Sequence, residues 1–172
     1  RHIIFTIPEE FRICFRKDRS AMNLLFIAAR NTIAKITNEK IYRKMKNKQG
    51  KTGKISNPKD NLYLFRNYKD AIQFGMIATL HTFGRDLKWN PHIHCLIPEL
   101  VYDPTNDTYK HINFFSYESL RKTWQYELTR LMSQRFGKDF DHLKNLSYKS
   151  NRTGFYVYAK ERKDDNGKIA DN

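Results

Sequence analysis

Cysteine is scarce in this sequence: Cys14 and Cys95 are the two thiols in 172 residues. Neither belongs to a C-x-x-C pair, and both lie among apolar neighbours. That excludes a disulfide scaffold and reads as two buried thiols in a reducing compartment. Acidic residues are in deficit too. Eighteen Asp and Glu stand against 32 Lys and Arg, a net charge of +14. Such a surplus calls for a polyanionic partner, nucleic acid or an anionic membrane surface. The membrane alternative is the weaker one, because no apolar run approaches the roughly 20 residues of a spanning helix. No secretory leader is visible, and the chain opens Arg1-His2-Ile3-Ile4 without an initiator methionine. It therefore reads as an excised piece, incomplete at both ends. A glycine-rich phosphate loop is missing as well. Gly50-Lys51-Thr52-Gly53-Lys54 has Lys48 where a first glycine is required and Ile55 where Ser or Thr must follow.

What is present suits one folded domain over residues 1–172, since 40% of the chain is hydrophobic and 14% aromatic. Arg1 to Ile7 has the β-branched and aromatic content of a strand, closed by Pro8. Glu9 to Lys17 reads as a short helical stretch. Asp18 or Ser20 then caps a long helix from Ser20 to Met45, with Met22, Leu25, Phe26, Ala29, Ile33 and Ile36 as its core stripe. Lys and Arg crowd from Arg43 to Lys59, and residues 43–61 read as a basic mobile loop. Such a run is either a solvated face or a contact for a nucleic-acid backbone. Leu62 to Phe74 is aromatic-rich and resists assignment. Val101 to Pro104 and Tyr109 to Phe114 suggest a small hairpin. Ser116 caps a helix whose stripe is Tyr117, Leu120, Trp124, Leu128, Leu131 and Met132, stopped by Gly137. A short helix follows over 138–146. Gly154 to Lys160 reads as a last strand, with Tyr156 and Tyr158 placed on opposite faces of it. His2, His111 and His142 read as surface residues. Strands alternating with amphipathic helices, at least one strand pair antiparallel, predict an α+β fold: one antiparallel sheet with helices packed on its faces.

The chemistry concentrates in Leu80 to Glu99, LHTFGRDLKWNPHIHCLIPE. Ile93, Cys95 and Ile97 alternate with His92, His94 and Leu96, the period of a half-buried strand. His92 and His94 then stand side by side on one face, with Ile93 and Cys95 turned inward. Met76 to His81 reads as a second strand, and Gly84 and Asp86 as the turn between them. A hairpin with Phe83 opposite Asn90 sets His81 opposite His92 and Thr79 opposite His94. Three imidazoles then surround one point and can hold one metal ion, whereas a slip of one residue turns His81 away.

Taken together, RHIIFTIPEEF, IATLHTFGRDLKWNPHIHCLI and GFYVYAK resemble the rolling-circle insertion-sequence transposases of the HUH endonuclease superfamily, the two-tyrosine type. The resemblance implies the HUH palm, a ferredoxin- or RRM-like antiparallel sheet with the histidine pair on a central strand. It implies metal-dependent cleavage and rejoining of single-stranded DNA at transposon ends, through a tyrosine joined to the 5′ end as a phosphotyrosine ester. His92 and His94 match the family's metal-binding pair, and His81, in the matching LHTFG segment, is the third candidate by the register argument. The ion implied is Mg2+ or Mn2+, although an all-imidazole set favours zinc, copper or nickel by intrinsic affinity, so zinc or nickel is possible in a structure. The family's nucleophiles are tyrosines four residues apart on a helix downstream of the H-x-H strand. No tyrosines have that spacing after His94, so the nucleophile is expected after Asn172 and no catalytic residue is assigned in this chain.

DNA contacts are expected from Arg85, Lys88, Trp89 and Asn90 beside the histidines, and from Lys160 and Arg162 on charge. The partner that the resemblance implies is single-stranded DNA and not a membrane, and the location expected is the cytoplasm of a prokaryote, at the nucleoid. Two other readings stand beside this one: a non-catalytic basic nucleic-acid-binding module with structural histidines, and an unrelated metal hydrolase with water as nucleophile.

Overall fold

A computed structural model of the chain describes residues 1–39, 69–112 and 116–159. The expected loop at 43–61, the aromatics Tyr63, Phe65 and Tyr68, and Lys160 and Arg162 lie outside them.

Strand β1 (His2–Thr6) alternates as the sequence does, burying Ile3 and Phe5 completely. A 3-10 turn at Glu9–Phe11 leads into the short helix α1 (Arg12–Lys17). Asp18 then accepts a hydrogen bond from the Ser20 amide and caps the 3-10 turn Arg19–Met22. Helix α2 (Asn23–Thr37) follows. The single helix expected over Ser20 to Met45 is therefore divided. Asn38 interrupts it by turning its side chain across the fold: Oδ1 accepts from the Ile72 amide at 2.7 Å, and Nδ2 donates to Ala34 O and Ile72 O. A side chain that satisfies a distant backbone pair competes with helix continuation.

Strands β2 (Ile77–Phe83) and β3 (Trp89–Leu96) form the expected antiparallel hairpin. β4 (Leu100–Asp103) and β5 (Thr108–His111) make a separate two-stranded ribbon. Ser116 caps helix α3 (Tyr117–Phe136) by accepting from the Ser119 amide, and Gly137 ends it at φ 60°. A 3-10 turn at Gly137–Phe140 and helix α4 (Asp141–Ser150) precede the last strand, β6 (Val157–Ala159).

The main sheet runs β2-β3-β1-β6, every neighbouring pair antiparallel. The fold is α+β, as the sequence pattern predicts. One face presents Ile3, Phe5, Ile93, Cys95, Val157 and Ala159 to a single core, which α1, α2 and α3 complete with Phe15, Leu25, Ile33, Trp124 and Leu128. Trp124 fastens helix to sheet: its ring lies 4.9 Å from Phe5, and its Nε1 donates to Thr6 O at 2.6 Å. The described helices gather on this one face rather than on both. Tyr156 and Tyr158 are 57% and 43% exposed while Val157 and Ala159 between and after them are buried. The two tyrosines thus share the open face, because residues two apart on a strand point the same way. No helix of the described residues is long and apolar enough to cross a membrane.

Candidate metal centre

The open face is built in rows across the sheet. Thr79, His94, Ile4 and Tyr158 stand in one row, and His81, His92 and Thr6 in the next. The predicted register of His81 against His92 and Thr79 against His94 is present. Its other member is not: Phe83 stands opposite Trp89 instead of Asn90. An irregularity between His81 and Phe83 shifts the ladder there. The loop beyond closes tightly, with Leu87 at φ 59° and the Gly84 amide donating to Lys88 O at 2.9 Å. A bulge of this kind places one extra residue on one strand and re-aims the side chains beyond it.

One ring nitrogen from each of His81, His92 and His94 lies within 4.8 Å of the other two. The His81 and His94 rings stack at 4.0 Å, and His92 lies 5.4 Å from His81 and 5.1 Å from His94, centroid to centroid. His92 Nδ1 donates to the Asn90 carbonyl at 2.6 Å. A carbonyl only accepts, so this bond fixes the proton on Nδ1 and leaves the Nε2 lone pair for a ligand. Nitrogens bound to one ion at about 2.1 Å stand roughly 3–4 Å apart, so small side-chain rotations bring the triad to bonding distance. The donor set fits a divalent cation.

Burial, then the neighbouring charges of His81, His92 and His2, holds His94 well below the usual imidazole range, at about 4. Its ring is therefore neutral at physiological pH, which is the form that ligates metal. Cys95, one residue on, faces the core, and burial pushes its thiol up to about 12. Among the described residues the two cysteines are free and buried, as expected.

The profile of the Y2_Tnp family, described as "Putative transposase", matches residues 75–170. That span holds both histidine strands and more than half of the chain.

The chain belongs to this transposase family.

A relative is similar over a longer stretch: the transposase for insertion sequence element IS801 of Pseudomonas savastanoi pv. phaseolicola is 24% identical over 126 residues, 73% of this chain. The chain spans about a quarter of that relative's length, the match covering 23% of it. No solved structure matches.

The four described DNA-contact candidates divide in two. Arg85 and Lys88 are exposed on the loop between the histidine strands, Lys88 pairing with Asp86 at 3.4 Å. Trp89 and Asn90 are half-buried at the start of β3. Trp89 packs against the core, with the Phe83 ring at 5.8 Å and the Arg19 guanidinium 5.8 Å over its own ring. The Asn90 carbonyl accepts the hydrogen bond from His92 Nδ1. His111 and His142 are exposed, as expected.

His2 is a correction. Sequence reasoning set it on the surface; it is in β1, half-buried, with its Nε2 3.0 Å from His94 Nδ1. The signal was present in RHIIFTI, where alternation puts His2, Ile4 and Thr6 opposite the core face of Ile3, Phe5 and Ile7. What the sequence could not supply was that β1 lies beside β3.

Proposed function

We propose that this chain is the metal- and DNA-binding core of an HUH-type transposase, which cleaves and rejoins single-stranded DNA at transposon ends. The observation that carries the reading is the convergence of His81, His92 and His94 on an open sheet face. Those three imidazoles would hold a divalent cation, Mg2+ or Mn2+ in the cell. When bound, such an ion offsets the charge of a phosphodiester and stabilises the transition state of its displacement.

The chain's own residues do the rest. Asn90 O keeps His92 in its ligating tautomer. The rigid ladder fixes the spacing of the rings before any ligand arrives. The excess of 32 basic over 18 acidic residues draws the DNA backbone toward the protein. Tyr156 and Tyr158 offer two exposed rings on the same face, and strands are about 4.8 Å apart, so Tyr158 stands two strands from His94. Bases of a strand held at the histidines can stack there. Arg85 and Lys88 flank the other side of the site, and Lys160 and Arg162 are proposed as further phosphate contacts. A tyrosine of the longer protein would be the nucleophile. Its oxygen bonds to phosphorus as the 3′ oxygen leaves with a proton, so a later hydroxyl can reverse the step. The protein would work in the cytoplasm, at the nucleoid.

The competing reading is a basic nucleic-acid-binding module with structural histidines. The hydrogen bonds of His92 and His94 favour it, since structural histidines make the same bonds. Mn2+ titration with a labelled single-stranded oligonucleotide separates the two. The proposal expects metal binding that requires His92 and His94, and DNA affinity that falls by a slope of about 0.7 per neutralised phosphate in log K against log salt. Oligonucleotide binding with no metal binding at all would favour the module.

A further inference from the structure

His94 is the triad member whose Nδ1 meets another histidine. His2 Nε2 lies 3.0 Å from His94 Nδ1, with the rings 5.1 Å apart and tilted by 31°. Two neutral imidazoles can share that contact in only one sense at a time, one donating and one accepting. If His94 Nδ1 donates, its Nε2 keeps a free lone pair. If His2 donates, His94 carries its own proton on Nε2 and neither of its nitrogens is left for a ligand.

The backbone holds His2 in this place. Ile4 is opposite His94 and His2 is opposite Leu96, so His2 reaches His94 along the diagonal of the same face, a separation that ring side chains span. The strand end is pinned: Arg1 pairs with Glu99 at 2.7 Å, and the Ile97 amide donates to Arg1 O at 2.9 Å. His92 meets the same requirement through Asn90 O. His94 has His2 in the equivalent position.

We propose that His2 is a positioning residue for the metal centre: it accepts the hydrogen bond from His94 Nδ1–H, fixes that tautomer and leaves His94 Nε2 to the ion. The proposal rests on the metal-site reading given above. His2 is outside the set of three mutually close ligands, and its role is to orient rather than to coordinate. Partners of this kind set ring orientation and ligand basicity, and losing one costs about 10–100-fold in metal affinity.

The test has a readout without metal. In the metal-free 15N-labelled chain, long-range proton–nitrogen correlation at pH 7.5 should report His94 as the Nδ1–H tautomer. His2→Ala should release it to the Nε2–H form that an unconstrained imidazole prefers in water. Mn2+ affinity by calorimetry should fall about 10–100-fold in His2→Ala and recover in His2→Gln, whose amide oxygen can accept. His2→Gln also keeps the test open should His2→Ala fold poorly. An Nε2–H tautomer in the unaltered chain, or undiminished Mn2+ affinity in a folded His2→Ala, overturns the proposal. If His92→Ala and His94→Ala leave Mn2+ binding intact, the metal site itself is lost, and the tautomer still decides which ring donates.

Discussion

His81 stands directly opposite His92 across the β2–β3 ladder, their rings edge-on with centroids 5.4 Å apart. Backbone pairing, not side-chain reach, brings the third imidazole to the first two. Moving β2 by one residue would turn His81 to the core side. The ladder shifts immediately after this pair, so the irregularity lies outside the segment that aligns the rings.

The first expected outcome concerns that alignment. His92→Ala or His94→Ala should weaken Mn2+ binding by more than about 100-fold, beyond what losing an outer partner does. His81→Ala should also weaken it, by less. Calorimetric titration reads all three, and a His92→Ala protein that binds as tightly as the unaltered chain would remove the site.

Stability should depend on pH through His94. A free imidazole titrates near 6.5, and this one is lowered to about 4. Between those values the unfolded chain takes up a proton that the folded chain refuses. The contribution is complete above pH 6.5 and is lost as pH falls through 4. Urea unfolding from pH 8 to 4 at fixed ionic strength should show it as a fall that His94→Gln flattens. Identical pH slopes in the two proteins would contradict the assignment.

Tyr158 should matter to DNA and not to metal. Stacking on an aromatic ring contributes about 1–3 kcal/mol per base. Tyr158→Ala should therefore weaken binding of a single-stranded oligonucleotide by about 5- to 150-fold in fluorescence anisotropy, with Mn2+ affinity unchanged. Tyr158→Phe should retain most of the DNA binding. Equal oligonucleotide affinity in Tyr158→Ala would place the strand elsewhere.

Gly154 is where the last strand meets helix α3. It has φ 91°, and a Cβ added there would lie 2.4 Å from the Arg121 carbonyl carbon and 2.6 Å from the Lys122 nitrogen. Both obstacles are backbone, so neither can rotate away. Gly154→Ala should lower stability by about 1–3 kcal/mol or more, read as a drop in unfolding temperature. It should disturb Tyr156 and Tyr158 before the histidine hairpin. Unchanged thermal stability would mean that the close approach is relieved at little cost.

The histidine hairpin was legible because its information is local. Alternation fixes which residues share a face, and Gly84 with Asp86 marks the reversal. The same holds for the caps at Ser116 and Gly137. The order of strands was not legible, since β1 meets β3 and β6 across most of the chain, and no local pattern encodes which strands become neighbours. That is why His2 passed for a surface residue. Tyr156 and Tyr158 were misplaced for a different reason: the period of the strand already puts them on one face. The break at Asn38 was hidden because its partner, Ile72, is remote in sequence, and the shift at Phe83 because loop closure set it.

Cys95 follows His94 directly yet belongs to the reverse side of the sheet, fully shielded among core residues. The pleat thereby separates sulfur from nitrogen by the thickness of one strand. A thiophilic contaminant such as cadmium or mercury would find an all-nitrogen pocket on one side and a sealed thiol on the other, never a mixed cage. Selectivity at the proposed centre would thus be guarded partly by the parity of a single position, and inserting one residue before Cys95 would forfeit it.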